Sequence, residues 1–225
     1  MEQFKYNLGI MTKNQFEILK QKHILIIGLG GLGGYVAHGL VRMGVHQLTL
    51  IDYDRFDKSN LNRQLFSNRQ TIGSYKVDVL KEALLSINPN VKINIYKESV
   101  LELDFTALKP FDLVIDALDD IIIKCALEGI ASTYEVPLLH GAIGGWYGQL
   151  GISLPHSNLL RDFYGSTVKG LEETMKNPAF TPAVIANMMV SETVKYFLFN
   201  DVALNNKIFA IDLFNHTYQL LYQKE

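Results

Sequence analysis

The chain has 225 residues, of which 48% are hydrophobic, and its formal net charge of −2 corresponds to an isoelectric point near 6.3. This length allows a sizeable core, and the balanced charge argues against a nucleic-acid partner. The single cysteine, Cys125, excludes an intramolecular disulfide and a zinc site built from paired C-x-x-C motifs. With no secretory signal and no apolar run suited to crossing a membrane, the sequence predicts a cytoplasmic protein.

The first elements along the chain are a helix and a strand that runs into a glycine-rich turn. Thr12 and Gln15 match a capping box, which predicts a short helix ending near Lys22. The apolar strand that begins at His23 leads into a G-x-G-x-x-G motif. Such a turn from a strand into a helix presents free backbone N–H groups to a phosphate and so predicts nucleotide binding. The motif glycines are Gly28, Gly30 and Gly33, and the stretch also contains Gly31.

The next strand ends at an acidic residue. Tyr35 to Met43 predicts a helix packed on the sheet, and Gln47 to Ile51 predicts a parallel strand that ends at Asp52. Asp52 follows Gly28 at close to the spacing at which an acid binds the ribose hydroxyls of a nucleotide. The alternative is a strand-end aspartate that only stabilises a turn. The spacing favours the ribose.

The remaining pattern predicts an α/β fold with a doubly wound, Rossmann-like parallel sheet that is continued by an antiparallel C-terminal part. Strands and helices alternate to residue 141, and beyond Trp146 we expect strands, one long helix and a polar loop. The predicted elements are helices at 72–87, 121–134 and 182–199, strands at 91–97, 111–116, 136–141, 146–154, 207–212 and 217–222, and the polar segment 155–178.

These elements suggest three parts within one globule. Residues 1–22 form an N-terminal helical extension, and residues 23–152 form an ATP-binding, Rossmann-like domain. Residues 153–225 contain a flexible loop, a helix and antiparallel strands.

Charged residues follow the predicted strands at the edge where open α/β sheets bind ligands. Two cations, Arg63 and Lys76, favour ATP over NAD, because displacement at a triphosphate needs positive charge beside the leaving pyrophosphate. Asp119 follows the fourth strand, where a carboxylate can hold Mg²⁺ against phosphate oxygens. The alternative for Asp119 is a helix cap, a role that we assign instead to Asp120.

Together these motifs resemble the MoeB/ThiF/HesA branch of ubiquitin-activating-enzyme-like adenylyltransferases, over most of residues 23–152. The resemblance implies a homodimer that uses Mg-ATP to adenylate the C-terminal glycine of a ubiquitin-like sulfur-carrier protein of the ThiS/MoaD type. It also depends on Gly73 and on Ile87-Asn88-Pro89. The implied cofactor-binding residues are the four glycines above and Asp52, Asp54, Asn60, Arg63, Gln64 and Lys76, with Arg63, Lys76 and Asp119 catalytic and Asp119 on the metal.

The chain departs from the family pattern at its cysteines and near its N-terminus. Family members often carry zinc cysteines and a catalytic cysteine in the crossover loop, which would be residues 155–178 here. Cys125 is expected to be a small buried hydrophobe, so catalysis is predicted to stop at the acyl-adenylate. Leu8 occupies the place of an arginine that reaches the partner's site, leaving Lys5 or Arg69 as substitutes.

Several alternatives stay open from the sequence. The acceptor could be a small-molecule carboxylate or a modified tRNA base, or the chain could be a weakened nucleotide-binding scaffold. A nicotinamide oxidoreductase is the rival at the level of the fold. The aromatic residues Trp146, Tyr147, Phe163 and Tyr164, together with His140, are expected to be packing or structural residues.

Overall fold

An eight-stranded mixed sheet organises the protein, in a computed structural model that describes residues 2–108, 110–166, 175–199 and 203–224. The strands are β1 (His23–Ile27), β2 (Gln47–Ile51), β3 (Lys92–Tyr96), β4 (Leu113–Asp116), β5 (Leu138–Gly144), β6 (Tyr147–Ser153), β7 (Lys207–Asp212) and β8 (Thr217–Gln223). Their order is β3-β2-β1-β4-β5-β6-β7-β8, with β1 to β5 parallel and β6 to β8 antiparallel. The predicted fold class is confirmed.

Six α-helices and four short 3₁₀ turns connect these strands in the described part of the chain. The helices are α1 (Lys13–Gln21), α2 (Gly33–Met43), α3 (Lys76–Ile87), α4 (Ile121–Thr133), α5 (Leu159–Tyr164) and α6 (Phe180–Leu198), and the 3₁₀ turns span Glu2–Phe4, Asn7–Gly9, Lys58–Asn60 and Phe105–Leu108. The capping box of α1 forms as predicted, with Thr12 and Gln15 bonded reciprocally. No described helix is long and apolar enough to cross a membrane.

Most predicted boundaries agree with the structure to within three residues, and two predictions differ by more. The helix expected from Ile72 begins only at Lys76, because Gly73 has a positive φ of 86° and Tyr75 forms an isolated β-bridge with Arg55. The segment 155–178, expected to be a loop, contains α5, and residues 167–174 within it lie outside the described residues.

The core lies on both faces of the sheet. Ile24 and Ile26 of β1 belong to the cluster formed with α2, α3 and α6, whereas Leu25 and Ile27 belong to the cluster beneath α4 and α5. The parallel strands are therefore buried on both sides, as their continuous apolar sequences predict. One sheet runs through the predicted second and third parts, and the division between them stays a prediction.

The fold creates a crevice where the chain reverses its direction of winding. From β1 the chain adds β2 and β3 on one side and β4 on the other. Ile27 pairs in register with Ile51 of β2 and with Asp116 of β4, so these three strands end at one level. Ligands of open α/β sheets bind at such a switch point.

Candidate nucleotide site

A cavity of about 390 Å³ occupies this crevice, at the carboxyl ends of β1, β2 and β4. Its wall includes every predicted site residue except Gly33. The predicted residues that line it are Gly28, Gly30, Gly31, Asp52, Asp54, Asn60, Arg63, Gln64, Lys76 and Asp119.

The glycine-rich turn brings backbone close to the crevice. Gly28 has a φ of 84°, and a Cβ atom there would lie 2.6 Å from the carbonyl oxygen of Ala117, so no side chain fits. Gly30 and Gly31 line the cavity before the first turn of α2, where helical N–H groups have no intrahelical acceptor. The turn therefore presents N–H donors to a ligand, as a phosphate requires.

The position of Gly33 differs from the predicted one, in which it approaches the nucleotide. It is buried in the first turn of α2 and does not line the cavity. A Cβ atom at Gly33 would lie 1.8 Å from the carbonyl oxygen of Gly28. Its requirement for glycine therefore comes from the packing of helix against turn, which is a structural role.

Asp52 stabilises the glycine-rich turn as well as lining the cavity. The Leu29 N–H donates to its Oδ2 at 2.6 Å, and the Asp54 N–H donates to its Oδ1 at 2.7 Å. Burial raises the pKa of this carboxyl, and the Lys76 ammonium and the two backbone bonds offset the rise only in part. Each carboxylate oxygen accepts more than one hydrogen bond, so Asp52 can still accept from a ribose hydroxyl.

Lys76 is a buried cation in the cavity wall. Only 5% of it is exposed, and its Nζ lies 2.8 Å from Asp54 Oδ2 and 3.8 Å from Asp52 Oδ2. It is the first residue of α3, and its own N–H donates to the Asp54 carbonyl at 3.0 Å. The two acids thus hold the ammonium where a polyphosphate could compete for it.

The connection after β2 supplies three polar residues to the cavity. Asn60 accepts the Asp57 N–H at 3.0 Å in the capping box of the 3₁₀ turn, which orients its side chain. Arg63 donates to the Ser59 carbonyl at 2.9 Å, which orients its guanidinium. Gln64 is 7% exposed, and its buried Oε1 has no hydrogen-bond partner among the described residues. Such an atom is costly unless a ligand or water donates to it.

The turn after β4 places two acids in different roles. Asp120 is the N-cap of α4, as predicted, and accepts the Ile123 N–H at 3.0 Å. Asp119 lines the cavity and is exposed there. Mg²⁺ is usually bound by one or two carboxylates together with phosphate oxygens. The exposed carboxylate of Asp119, beside the glycine-rich turn, therefore fits such an ion.

A chain of hydrogen-bonded polar residues lies behind this turn, and we call it the Asp116 cluster: Asp116, Lys124 and His140, which are buried, and Gln149 and Tyr164, which are partly buried. Lys124 Nζ lies 3.1 Å from Asp116 Oδ2, and His140 Nδ1 lies 2.7 Å from the same oxygen. Although burial opposes its ionisation, Lys124 and His140 keep the pKa of Asp116 below its usual range. Burial and then Lys124 lower the pKa of His140, so its imidazole is neutral.

Sequence reasoning assigned His140 a satisfied structural role, which these bonds confirm, but it missed the cluster. Lys124 carried a signal, because it is a lysine within the mostly apolar first half of α4. Its partners come from β4 and β5, so their convergence depends on the register of two strands. The register is a tertiary feature that a single helix pattern does not contain.

Cys125 and Phe163 are packing residues, whereas Trp146 lies at the surface. Cys125 is half-buried against the cluster beneath α4, as expected for a small hydrophobe, and burial raises the pKa of its thiol. Phe163 packs on Tyr164 with ring centroids 4.9 Å apart. Trp146 contacts Phe180 and is 46% exposed.

Comparison with known proteins is consistent with this geometry. The ThiF family profile matches residues 4–224. A molybdopterin-synthase adenylyltransferase of Salmonella typhimurium is 30% identical over 222 residues, covering 94% of this chain and 88% of that protein. A tRNA threonylcarbamoyladenosine dehydratase of Haemophilus influenzae is 35% identical over 143 residues, covering 62% of this chain and 54% of that protein.

The chain spans a smaller share of other relatives. A SUMO-activating enzyme subunit 2 of Dictyostelium discoideum is 30% identical over 67% of this chain, but the match spans only 23% of that protein. Among solved structures, an Escherichia coli tRNA N6-threonylcarbamoyladenosine dehydratase in complex with ATP has a TM-score of 0.75 at 22% identity, covering 88% of this chain and 95% of that one. At this identity the likeness establishes the fold.

Proposed function

Because this chain belongs to the ThiF family, we propose that it is an ATP-dependent adenylyltransferase that activates the C-terminal glycine carboxylate of a ubiquitin-like sulfur-carrier protein. The product is an acyl-adenylate, and pyrophosphate is released. The observation that carries the proposal is the cavity in which the glycine-rich turn, the cations Arg63 and Lys76, and the carboxylate of Asp119 meet.

In this proposal different residues of the cavity bind different parts of the nucleotide. Asp52 binds the ribose, and the N–H groups of the glycine-rich turn face the phosphates. Gln64 Oε1, which has no partner among the described residues, accepts a hydrogen bond from the bound nucleotide. Lys76 leaves Asp54 for a phosphate oxygen, with which it forms a charge-assisted hydrogen bond.

The reaction needs positioning and charge neutralisation. The acceptor carboxylate is already ionised at neutral pH, so it attacks the α-phosphorus without a general base, and the bond to the pyrophosphate oxygen breaks. Arg63 and Lys76 stabilise the charge that builds up on the departing pyrophosphate. Asp119 would hold Mg²⁺, which supplies further neutralisation of the phosphate oxygens when bound.

The raised pKa of Cys125 favours a reaction that ends at the acyl-adenylate, since only a thiolate attacks efficiently. Cys125 is also absent from the cavity wall. Transfer of sulfur to the activated carrier is therefore assigned to another protein.

A homodimer is the proposed assembly. Neither Lys5 nor Arg69, the suggested replacements for the family arginine, is among the residues that line the cavity of one protomer. A partner subunit could bring one of them to the site, with activity then depending on dimerisation. Sedimentation velocity would show whether the protein is a dimer. The pyrophosphate-exchange rates of Lys5→Ala and Arg69→Ala would then decide which residue, if either, acts in this way.

Trapping with hydroxylamine tests the acceptor directly. An acyl-adenylate on the carrier reacts with hydroxylamine to give a C-terminal hydroxamate and AMP, which mass spectrometry detects on the intact carrier. The hydroxamate is expected with a carrier that ends in a glycine pair and is expected to be absent when that pair is deleted. No hydroxamate on the complete carrier would reject this acceptor.

A tRNA base is the second candidate acceptor. It is favoured by the 35% identity to the Haemophilus influenzae dehydratase. In this case tRNA, and not the carrier, would stimulate AMP release. Measurement of AMP release with tRNA in place of the carrier separates the two acceptors.

A further inference from the structure

The Asp116 cluster is joined by hydrogen bonds to the turn that carries Asp119. Asp116 Oδ1 accepts the Leu118 N–H at 3.1 Å, one residue before Asp119. The same carboxylate accepts from Lys124 Nζ at 3.2 Å and 3.1 Å, and from His140 at 2.7 Å. The position of this turn therefore depends on where the buried carboxylate is held.

The rest of the cluster fixes that carboxylate from two elements. Lys124 also donates to the Gly141 carbonyl of β5 at 2.9 Å, so α4 and β5 are tied at the same point. His140 lies on β5, and its Nε2 lies 3.1 Å from the Tyr164 hydroxyl of α5. With a neutral imidazole, His140 donates from Nδ1 to Asp116 and accepts from Tyr164 at Nε2. Gln149 of β6 donates to the Tyr164 oxygen.

The helix that supplies Tyr164 is itself held by α4. Glu128, one turn after Lys124, is 4% exposed and accepts the Leu160 N–H at 2.7 Å and the Arg161 N–H at 3.1 Å. A carboxylate from α4 thus caps the first turn of α5. Tyr164, at the other end of α5, closes the chain of bonds back to Asp116.

We propose that the Asp116 cluster positions the Asp119 turn and thereby sets the affinity of the site for ATP carrying its divalent cation. This inference rests on the proposed function, because it assigns Asp119 to the metal. Lys124, His140 and Tyr164 are positioning residues, since none of the three lines the cavity. The cluster also makes the site sensitive to the placement of α5, through Tyr164.

Two substitutions test the proposal without touching the cavity. His140→Leu removes both bonds of the imidazole, and Tyr164→Phe removes only the outer hydroxyl. Calorimetric titration with ATP plus Mg²⁺, and separately with AMP, compares a ligand that carries the β- and γ-phosphates and the cation with one that lacks them. Tyr196→Phe, a half-buried tyrosine of α6 outside the cluster, is the matched control.

The expected result is a selective loss of affinity. Residues behind metal ligands typically contribute about 10-fold to 100-fold to metal affinity, so we expect the Kd for Mg-ATP to rise about 10-fold in His140→Leu and by a smaller factor in Tyr164→Phe. The Kd for AMP should change much less, and Tyr196→Phe should match the wild type. If His140→Leu does not fold, Tyr164→Phe decides.

The outcomes separate this inference from the proposed function. Wild-type protein that binds neither Mg-ATP nor AMP would overturn both. Wild-type protein that binds both ligands, with variants that bind Mg-ATP equally well, would overturn the positioning role alone. An equal loss of affinity for the two ligands in the variants would also overturn it, because it would show only general structural damage.

Discussion

Lys76 is the residue on which the proposed chemistry depends most. It is a cation with 5% exposure, and the two aspartates beside it compensate the cost of burying its charge in the cavity wall. We expect Lys76→Ala to lower turnover by roughly 10²-fold to 10³-fold, as for the loss of one preorganised charge contact in a transition state. The rate of pyrophosphate exchange in the presence of the carrier protein measures the effect.

Lys97→Ala is the matched control for this variant. Lys97 pairs with Asp78 at 2.8 Å, is 41% exposed and does not line the cavity. An exposed pair of this kind contributes little, so the control should retain its rate and melting temperature. A wild-type rate in Lys76→Ala would remove Lys76 from the catalytic residues.

Cys125, unlike Lys76, is expected to be unnecessary for the adenylation reaction. Its thiol is half-buried and its pKa is raised, chiefly by burial and then by Glu128, so the thiolate is scarce at neutral pH. Cys125→Ala should therefore retain pyrophosphate exchange and hydroxamate formation. Loss of exchange together with a thioester or persulfide on the wild-type Cys125 would mean that the reaction continues beyond the adenylate.

At the scale of elements, the junction between β1 and α2 sets the geometry of the crevice. Gly33→Ala would place a Cβ atom 1.8 Å from the Gly28 carbonyl oxygen, so the turn must move. Overpacking of this kind costs about 1–3 kcal/mol or more, and we expect a lower free energy of unfolding from urea titration.

Gly129→Ala is the control for Gly33→Ala, because it replaces a helical glycine at a position with space for a Cβ atom. Gly129 lies within α4, and a Cβ atom there would meet no other heavy atom within 4 Å. Alanine is favoured over glycine inside a helix by about 0.5–1 kcal/mol, so this variant should be at least as stable as the wild type. Equal stability of Gly33→Ala and wild type would contradict the packing role of Gly33.

The elements also show what the sequence could predict. The strands around the crevice are short apolar runs that end in glycine or aspartate. This pattern was sufficient to predict both the strands and the residues at their ends. The helix α5 was missed, because its six residues are capped by Glu128 from a distant part of the chain. The role of Gly33 was assigned to the ligand, since the motif alone does not distinguish contact with phosphate from close packing.

At the scale of the whole molecule, three histidines give the stability a defined pH dependence. Burial lowers the pKa of His38, His46 and His140, with further lowering by nearby cations. The unfolded chain therefore binds protons at these positions at a higher pH than the folded one does. Since the unfolded state then holds more protons, stability rises with pH in this range.

We expect the free energy of unfolding to fall as the pH is lowered from about 7 to about 5, around the ordinary histidine pKa of about 6.5. Asp52 works in the opposite direction at more acid pH, because its raised pKa lets the folded state take up a proton first. Urea unfolding at a series of pH values measures the slope. A free energy that stays constant or increases on acidification to pH 5 would contradict the neutral, buried state of His140.

The most direct test of the central claim is exchange of labelled pyrophosphate into ATP, measured with purified protein, Mg²⁺ and a carrier that ends in a glycine pair. Reversible adenylation predicts exchange that requires the carrier's terminal carboxylate and the Lys76 side chain. Absence of exchange with the carrier, with tRNA and with small carboxylates, from a protein that binds ATP, would contradict an adenylyltransferase and leave a nucleotide-binding scaffold.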